Sequence, residues 1–322
     1  MKIDMVASET HYQDHMLPIF EALPDHLRGN VLPLAKPGEA TRPPMGRIAM
    51  VAGWQDVAPL RGQCPMIYVE HGAGQTYGDR PFDPSYSASG GQRHQGVIGF
   101  ISPNEEVASR WTTAPSIAVG CPKMDQWVVR PRKQPGDSPA ICFAFHWDCR
   151  LSPESRSAWE WYAPHIVDIV AWYRSVGFRV FVHEHPKWRG ELVRQWAELL
   201  PDVPVLYTDR EVFEQADILM MDNSSLMYEV ALLSRPVVAL NAPWYRKDVE
   251  HGLRFWQHVP GIEVDKPRYL LGLNPWDLIH ETSLRGMTQV LGSAARERVY
   301  AWGDGSSSAR AAQFIVDLLS EV

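Results

Sequence analysis

The chain has 322 residues, 45% hydrophobic and 21% charged, a globular composition in a length that predicts two domains of ordinary size. A formal charge of −7 argues against a nucleic-acid binder living on counterion release, but not against an enzyme that acts briefly on a polymer. Asp4 and Glu9 interrupt the start, no apolar run nears the ~18 residues of a bilayer span, and Cys64, Cys121, Cys142 and Cys149 lack Cys-x-x-Cys spacing. The expectation is a soluble cytoplasmic protein with reduced thiols.

In chain order, Ile3 to Ala7 reads as a first strand and His11 to Leu23 as a helix containing Pro18, joined by the turn Ser8-Glu9-Thr10-His11. Strands follow at Asn30–Leu34 and Arg47–Ala52, around a Pro/Gly-rich loop at 37–46. The buried strand Met66–Val69 runs into Glu70-His71-Gly72-Ala73-Gly74, which opens a glycine-rich loop reaching Gly96. Val97–Ile101 resumes the sheet, Glu105–Trp111 is a short helix, and Ser116–Val119 is a strand ending in Gly120-Cys121-Pro122-Lys123-Met124-Asp125. Residues 129–138 carry no core side chain after Val129 and read as a linker. The domains are therefore drawn at 1–128 and 139–322.

The second half restarts the same alternation. Ala140–Phe145 is a strand ending at His146-Trp147-Asp148, Ser157–Val176 a long helix with Pro164 inside it, and Phe178–Val182 a strand ending at His183-Glu184-His185-Pro186. Gly190–Leu200, Val203–Leu206 and Glu211–Ala216 alternate as helix, strand and helix. The strand Ile218–Met221 then meets Asp222-Asn223-Ser224-Ser225, residues suited to a helix start, before a helix with Leu226, Val230 and Leu233. Ser234-Arg235-Pro236 stops it and Val237–Leu240 is the next strand. A last amphipathic helix carries Phe314, Ile315, Leu318 and Leu319, and is counted with the second domain. This alternation is an α/β pattern with two parallel sheets, each wound with helices.

Three groups invite chemistry. A helix N-terminus at the carboxyl end of a parallel strand collects N–H donors, so Asp222 to Ser225 could hold phosphate, although such residues often only cap a helix. His71 ends a strand where open sheets bind ligands, and Gly72 and Gly74 allow close approach; it is either a base or a support for the loop. His183 and His185 stand two apart at a strand end, so their side chains point the same way while the chain stays extended, either as a metal pair with His146 or Asp148, or as donors to a phosphate.

Glu70 to Gly72, Gly120 to Asp125, His183 to Pro186, Asp222 to Ser225 and Arg235-Pro236 occur in an order that resembles the CDP-glycerol glycerophosphotransferases of teichoic-acid synthesis. The resemblance implies a GT-B fold, two doubly wound domains facing a central cleft, with an acceptor-side first domain and a nucleotide-donor second domain. It implies a transferase moving a glycerophosphate or sugar group from a CDP- or UDP-linked donor, without metal or other cofactor. The acceptor is a hydroxyl on a polymer, glycan, small molecule or modified nucleobase. By the same resemblance His71 is the base and His185 joins it in catalysis. Asp222, Asn223, Ser224, Ser225, Lys123 and His183 lie at the donor phosphates, Glu229 at the ribose, and Gly72, Gly74, His146 and Arg235 elsewhere in the cleft. His183 and Lys123 each replace an arginine of the family pattern, and Lys lacks the bidentate guanidinium fork. A nucleotide-sugar glycosyltransferase, a nucleotide-sugar 2-epimerase and a non-catalytic nucleotide-binding module are the competing readings.

Overall fold

A computed structural model describes residues 1–34, 47–73, 94–130, 136–149, 153–245, 259–284 and 299–320. They divide into two compact units. The first holds the described residues up to Arg130 together with the C-terminal 299–320; the second holds those of 136–245 and 259–284.

The first unit is built on strands β1 (Ile3–Met5), β2 (Arg28–Val31), β3 (Ile48–Val51), β4 (Met66–Val69), β5 (Val97–Ser102) and β6 (Ser116–Ala118). All pair in parallel, in the order β2-β1-β3-β4-β5-β6. Central strands β3 and β4 are apolar at every position because both faces are covered. Helix α1 (Thr10–Ala22) packs Tyr12, Met16 and Ile19 against one face, where Ile67, Val69 and Ile101 lie. On the other face α2 (Trp54–Leu60) brings Val57 and Leu60 to Tyr68, Phe100 and Trp111. Helix α3 (Glu105–Arg110) starts at Asn104, whose side chain accepts the Val107 N–H at 2.9 Å.

The second unit has β7 (Ala140–Phe145), β8 (Arg179–Glu184), β9 (Val205–Leu206), β10 (Ile218–Met221), β11 (Val237–Leu240) and β12 (Ile262–Val264). Its order is β12-β11-β10-β7-β8-β9, again all parallel. The long helix expected after β7 is broken at Pro164, which has no N–H to give. It becomes a short helix at Trp159–Tyr162, a tighter turn at Ala163–His165 and a helix at Ile166–Ser175. Trp159, Tyr162, Ile166, Ile169 and Tyr173 pack on Phe143, Phe145, Val180 and Val182 to form the core.

The C-terminal helix Ser307–Ser320 corrects one expectation: it belongs to the first unit. Its Ala311, Ala312 and Ile315 join the core around α1. The segment Gly120 to Asp125 is its socket. Asp125 accepts the Ser307 and Ser308 N–H groups at 3.0 and 2.6 Å, capping the helix start. Gly120 takes φ of +95°, and a Cβ there would lie 2.5 Å from the Ala301 carbonyl oxygen. Sequence order hides this docking, since nothing local to residues 307–320 says which core they join.

Candidate functional site

In the second unit the chain runs outward from β7 to β8 and β9, then returns to β10 on the other side of β7. Open parallel sheets bind ligands outside the carboxyl ends of their strands at such a reversal. Two loops leave the sheet there, the one beginning at His146 after β7 and Asp222 to Ser225 after β10.

Asp222 ties them together. Its Oδ1 accepts the His146 and Asn223 N–H groups at 2.7 and 2.6 Å, and its Oδ2 the Ala158 N–H at 2.8 Å and the Ser157 hydroxyl at 3.4 Å. Burial pushes the carboxyl up to about 6, against the pull of these donors. All four donors are internal, so Asp222 joins the loop after β7 to the loop after β10. The helix that follows, Leu226–Leu232, is short and buried throughout. Ser225 makes no side-chain cap and, among the described residues, Ser224 Oγ accepts from the Leu226 N–H at 3.4 Å; both serines are partly exposed. Asn223 is buried. Glu229 is 1% exposed, which rules out a solvated surface role.

His183 and His185 part company, contrary to the expectation that they point the same way. Strand β8 stops at Glu184, and His185 begins a tight turn over Pro186–Trp188. His183 is buried, with Nδ1 at 2.9 Å from the Leu206 carbonyl and Nε2 at 3.2 Å from Asp209 Oδ1. A capping box between Thr208 and Glu211 seats Asp209 in the first turn of its helix. With both nitrogens engaged inside the unit, His183 has none for a donor phosphate. His185 Nδ1 accepts the Lys187 N–H at 3.1 Å, and its ring lies edge-on to His146 with centroids 5.1 Å apart. His146 Nδ1 is 3.2 Å from the Ser155 carbonyl, and burial pushes this imidazole down to about 4. Among the described residues no group of three potential metal ligands comes together.

Arg235 also lies elsewhere than expected. Its Nη1 donates to the Ala216 carbonyl at 2.7 Å, closing the C-terminal end of the helix Asp209–Gln215. The reason is topological. Arg235 directly precedes Pro236 and β11, so it lies at the amino ends of the parallel strands, opposite the ligand-binding ends.

In the first unit, His71 follows β4 and its Nδ1 lies 2.5 Å from the Ala52 carbonyl. A carbonyl only accepts, so Nδ1 carries the hydrogen and Nε2 the lone pair of the neutral ring. Gly72 beside it adopts φ of +91°. Tyr12 packs edge-on to the His71 ring at 4.5 Å and His11 lies at 6.0 Å, both from the first turn of α1. The sequence reading gave His11 no role; the strand-turn-helix at the N-terminus was the signal that could have placed it beside His71. The neighbouring Glu70 has a buried Oε2 without a partner among the described residues, and burial raises its carboxyl to about 8 although Arg110 opposes this. Lys123 is buried in the tight turn Pro122–Met124. Gly74 lies outside the described residues.

Two parallel six-stranded sheets wound with helices define a GT-B-like α/β protein. The sequence profile of the CDP-glycerol:poly(glycerophosphate) glycerophosphotransferases matches residues 173–317, a little under half of the chain. No curated protein matches the sequence. Among solved structures, the wall teichoic acid polymerase TagF superposes with a TM-score of 0.62 at 16% identity, covering 100% of this chain and 90% of that one. The S. aureus MnaA–UDP co-structure gives 0.63 at 13% identity, covering 100% and 97%. The UDP-GlcNAc 2-epimerase of Neisseria meningitidis bound to UDP-GlcNAc gives 0.62 at 12% identity, with 100% of both chains covered. At these identities the likeness is one of fold.

Proposed function

We propose that this chain moves a glycerophosphate or sugar group from a nucleotide-activated donor to an acceptor hydroxyl. The observation that carries the reading is the reversal point of the second sheet. There the loop Asn223 to Ser225 and His185, both within the region matched by the glycerophosphotransferase profile, gather with His146 from the loop after β7. Asn223, Ser224, Ser225 and the N–H groups of the following turn hold the donor phosphates, and His185 donates to charge building on the leaving nucleotide. Asp222, His183 and Arg235 act behind them as supports. His71 takes the proton of the acceptor hydroxyl on Nε2, the atom its bond to Ala52 leaves with a lone pair. Glu229 accepts from the ribose, and Lys123 adds positive charge. The donor is CDP- or UDP-linked, no metal or cofactor takes part, and the reaction belongs in the cytoplasm.

A 2-epimerase acting on a nucleotide sugar is the second reading, favoured by the fold likeness to two such proteins. Product analysis separates them: a transferase releases its nucleotide only when the acceptor is consumed, and an epimerase leaves the nucleotide sugar intact.

The test of the donor site is calorimetric. CDP or UDP compounds should bind, and Ser224→Ala with Ser225→Ala should weaken binding by about 1–3 kcal/mol, the scale of hydrogen bonds to a charged group. Unchanged affinity in a folded double variant removes the serines from the site.

A further inference from the structure

Three buried polar atoms of the first unit, Glu70 Oε2, Ser102 Oγ and Arg110 Nη1, have no hydrogen-bond partner among the described residues. They come from three elements and belong to one face of the sheet. Tyr68 and Phe100 point to the face where Val57, Leu60 and Trp111 pack, so Glu70 and Ser102, each two residues further on, point the same way. Val69 pairs with Ile101, and the Glu70 N–H donates to the Ile101 carbonyl at 2.8 Å, which makes Glu70 and Ser102 neighbours at the carboxyl ends of β4 and β5. Arg110 ends α3, the helix packed on β5 and β6. Its guanidinium pairs with Glu106 and acts on the Glu70 carboxyl from beyond ion-pair distance.

Native proteins pair their buried polar groups, and Ser102 is only 1% exposed. One step back along the same face lie the rings of Tyr68, Phe100 and Trp111, the last two stacked at 4.3 Å. An apolar floor with a few convergent polar groups is how small-molecule sites are built, and open sheets bind ligands at the carboxyl ends of their strands. The three groups supply an acceptor, a donor and a hydroxyl that does either. An anion would meet the Glu70 carboxylate and a cation would meet Arg110. A hydroxyl donates and accepts at once, so it suits both. The burial that lifts Glu70 to about 8 agrees with this, since a neutral carboxyl also donates and accepts.

We propose that Glu70, Ser102 and Arg110 bind the hydroxyl groups of a polyol, the part of the acceptor that adjoins its reacting group. The inference rests on the reading of His71 as the base and adds to it the substrate class of the acceptor. His71 is the residue after Glu70 and turns to the α1 side, against Tyr12, so an acceptor lying across the end of β4 touches both residues. A site built to hydrogen-bond hydroxyls rejects an analogue that lacks them, since its polar atoms are then left unpaired.

The experiment titrates the full chain, without nucleotide, with glycerol 3-phosphate and with propyl phosphate, which lacks the two hydroxyls, followed by ligand-observed NMR. Wild type should prefer glycerol 3-phosphate by about 10-fold or more. Glu70→Leu and Ser102→Ala should each remove most of that preference, while Glu70→Gln, which keeps an acceptor and a donor, should retain it. Thermal unfolding supplies the readout that a merely structural role would not give. A carboxyl that is unpaired until ligand binds predicts that Glu70→Leu holds or raises the Tm of the ligand-free protein; a fall in Tm marks a structural pair with Arg110 and overturns the proposal. Equal affinity of wild type for the two phosphates, or no binding of glycerol 3-phosphate, overturns it without any variant having to fold. Preferential binding of glycerol 3-phosphate in a protein that transfers nothing from any nucleotide donor supports the polyol site and refutes only the proposed reaction.

Discussion

Replacing Asp222 by alanine should cost both stability and nucleotide binding, and the structure gives the size. The carboxylate accepts three backbone N–H groups within 2.8 Å, those of His146, Ala158 and Asn223, and a longer bond from Ser157. Hydrogen bonds to a charged group contribute about 1.5–3 kcal/mol each, and a buried donor left without a partner costs about 1–3 kcal/mol. Three such donors would give the upper end of a large effect. Two things reduce it: the burial that lifts the carboxyl to about 6 is relieved, and water can enter the space left behind. The net expectation is a loss of about 3–5 kcal/mol, in the range for a broken buried polar network. Urea unfolding followed by tryptophan fluorescence reads it, since Trp159 and Trp196 lie in the core of this unit. Because Asp222 joins the loops after β7 and β10, nucleotide affinity should fall in parallel. A loss under about 1 kcal/mol, or full stability loss with unchanged nucleotide affinity, would refute the argument that this carboxylate assembles the site.

Three further outcomes are expected. His94 is 1% exposed among Trp54, Tyr68, Phe100 and Trp111, and burial pushes it down to about 4. The unfolded chain protonates it first as pH falls below 6.5, so stability drops between about pH 6.5 and 4, by about 3 kcal/mol from this group. His94→Phe should remove that share of the acid slope, measured by urea unfolding at pH 7 and 4.5. Arg235→Ala should cost about 1–2 kcal/mol through the lost helix cap while leaving nucleotide affinity alone, in paired unfolding and binding measurements. Transfer activity should survive EDTA; loss restored by zinc or manganese would return the metal reading.

The two sheets were legible because strands buried on both faces leave unbroken apolar runs such as Ala140 to Phe145 and Ile218 to Met221. The reversal of strand order was not, since it depends on which strands pair. The helix Trp54–Leu60 escaped notice because it is short, contains Pro59 and lacks a full apolar period. His183 and His185 were read as parallel on the premise of one continuous strand, and β8 ends at Glu184, so His185 already opens the turn over Pro186–Trp188. Asp222 looked like a phosphate or capping residue because three of its four partners, 64 to 76 residues away, cannot be seen from its neighbours. Arg235 needed only the direction of the chain: a residue just before a parallel strand lies at the end of the sheet away from the ligand.

The central claim, a nucleotide-dependent transferase with His71 as its base, is tested most directly by CMP release from CDP-glycerol in the presence of a polyol-phosphate acceptor, in wild type and His71→Ala. The account predicts acceptor-dependent release by wild type, slowed by about 10²–10⁴-fold in the variant while the affinity for CDP-glycerol stays the same. Equal rates in the two proteins, or no acceptor-dependent nucleotide release by wild type from either CDP-glycerol or a UDP-sugar, would contradict it.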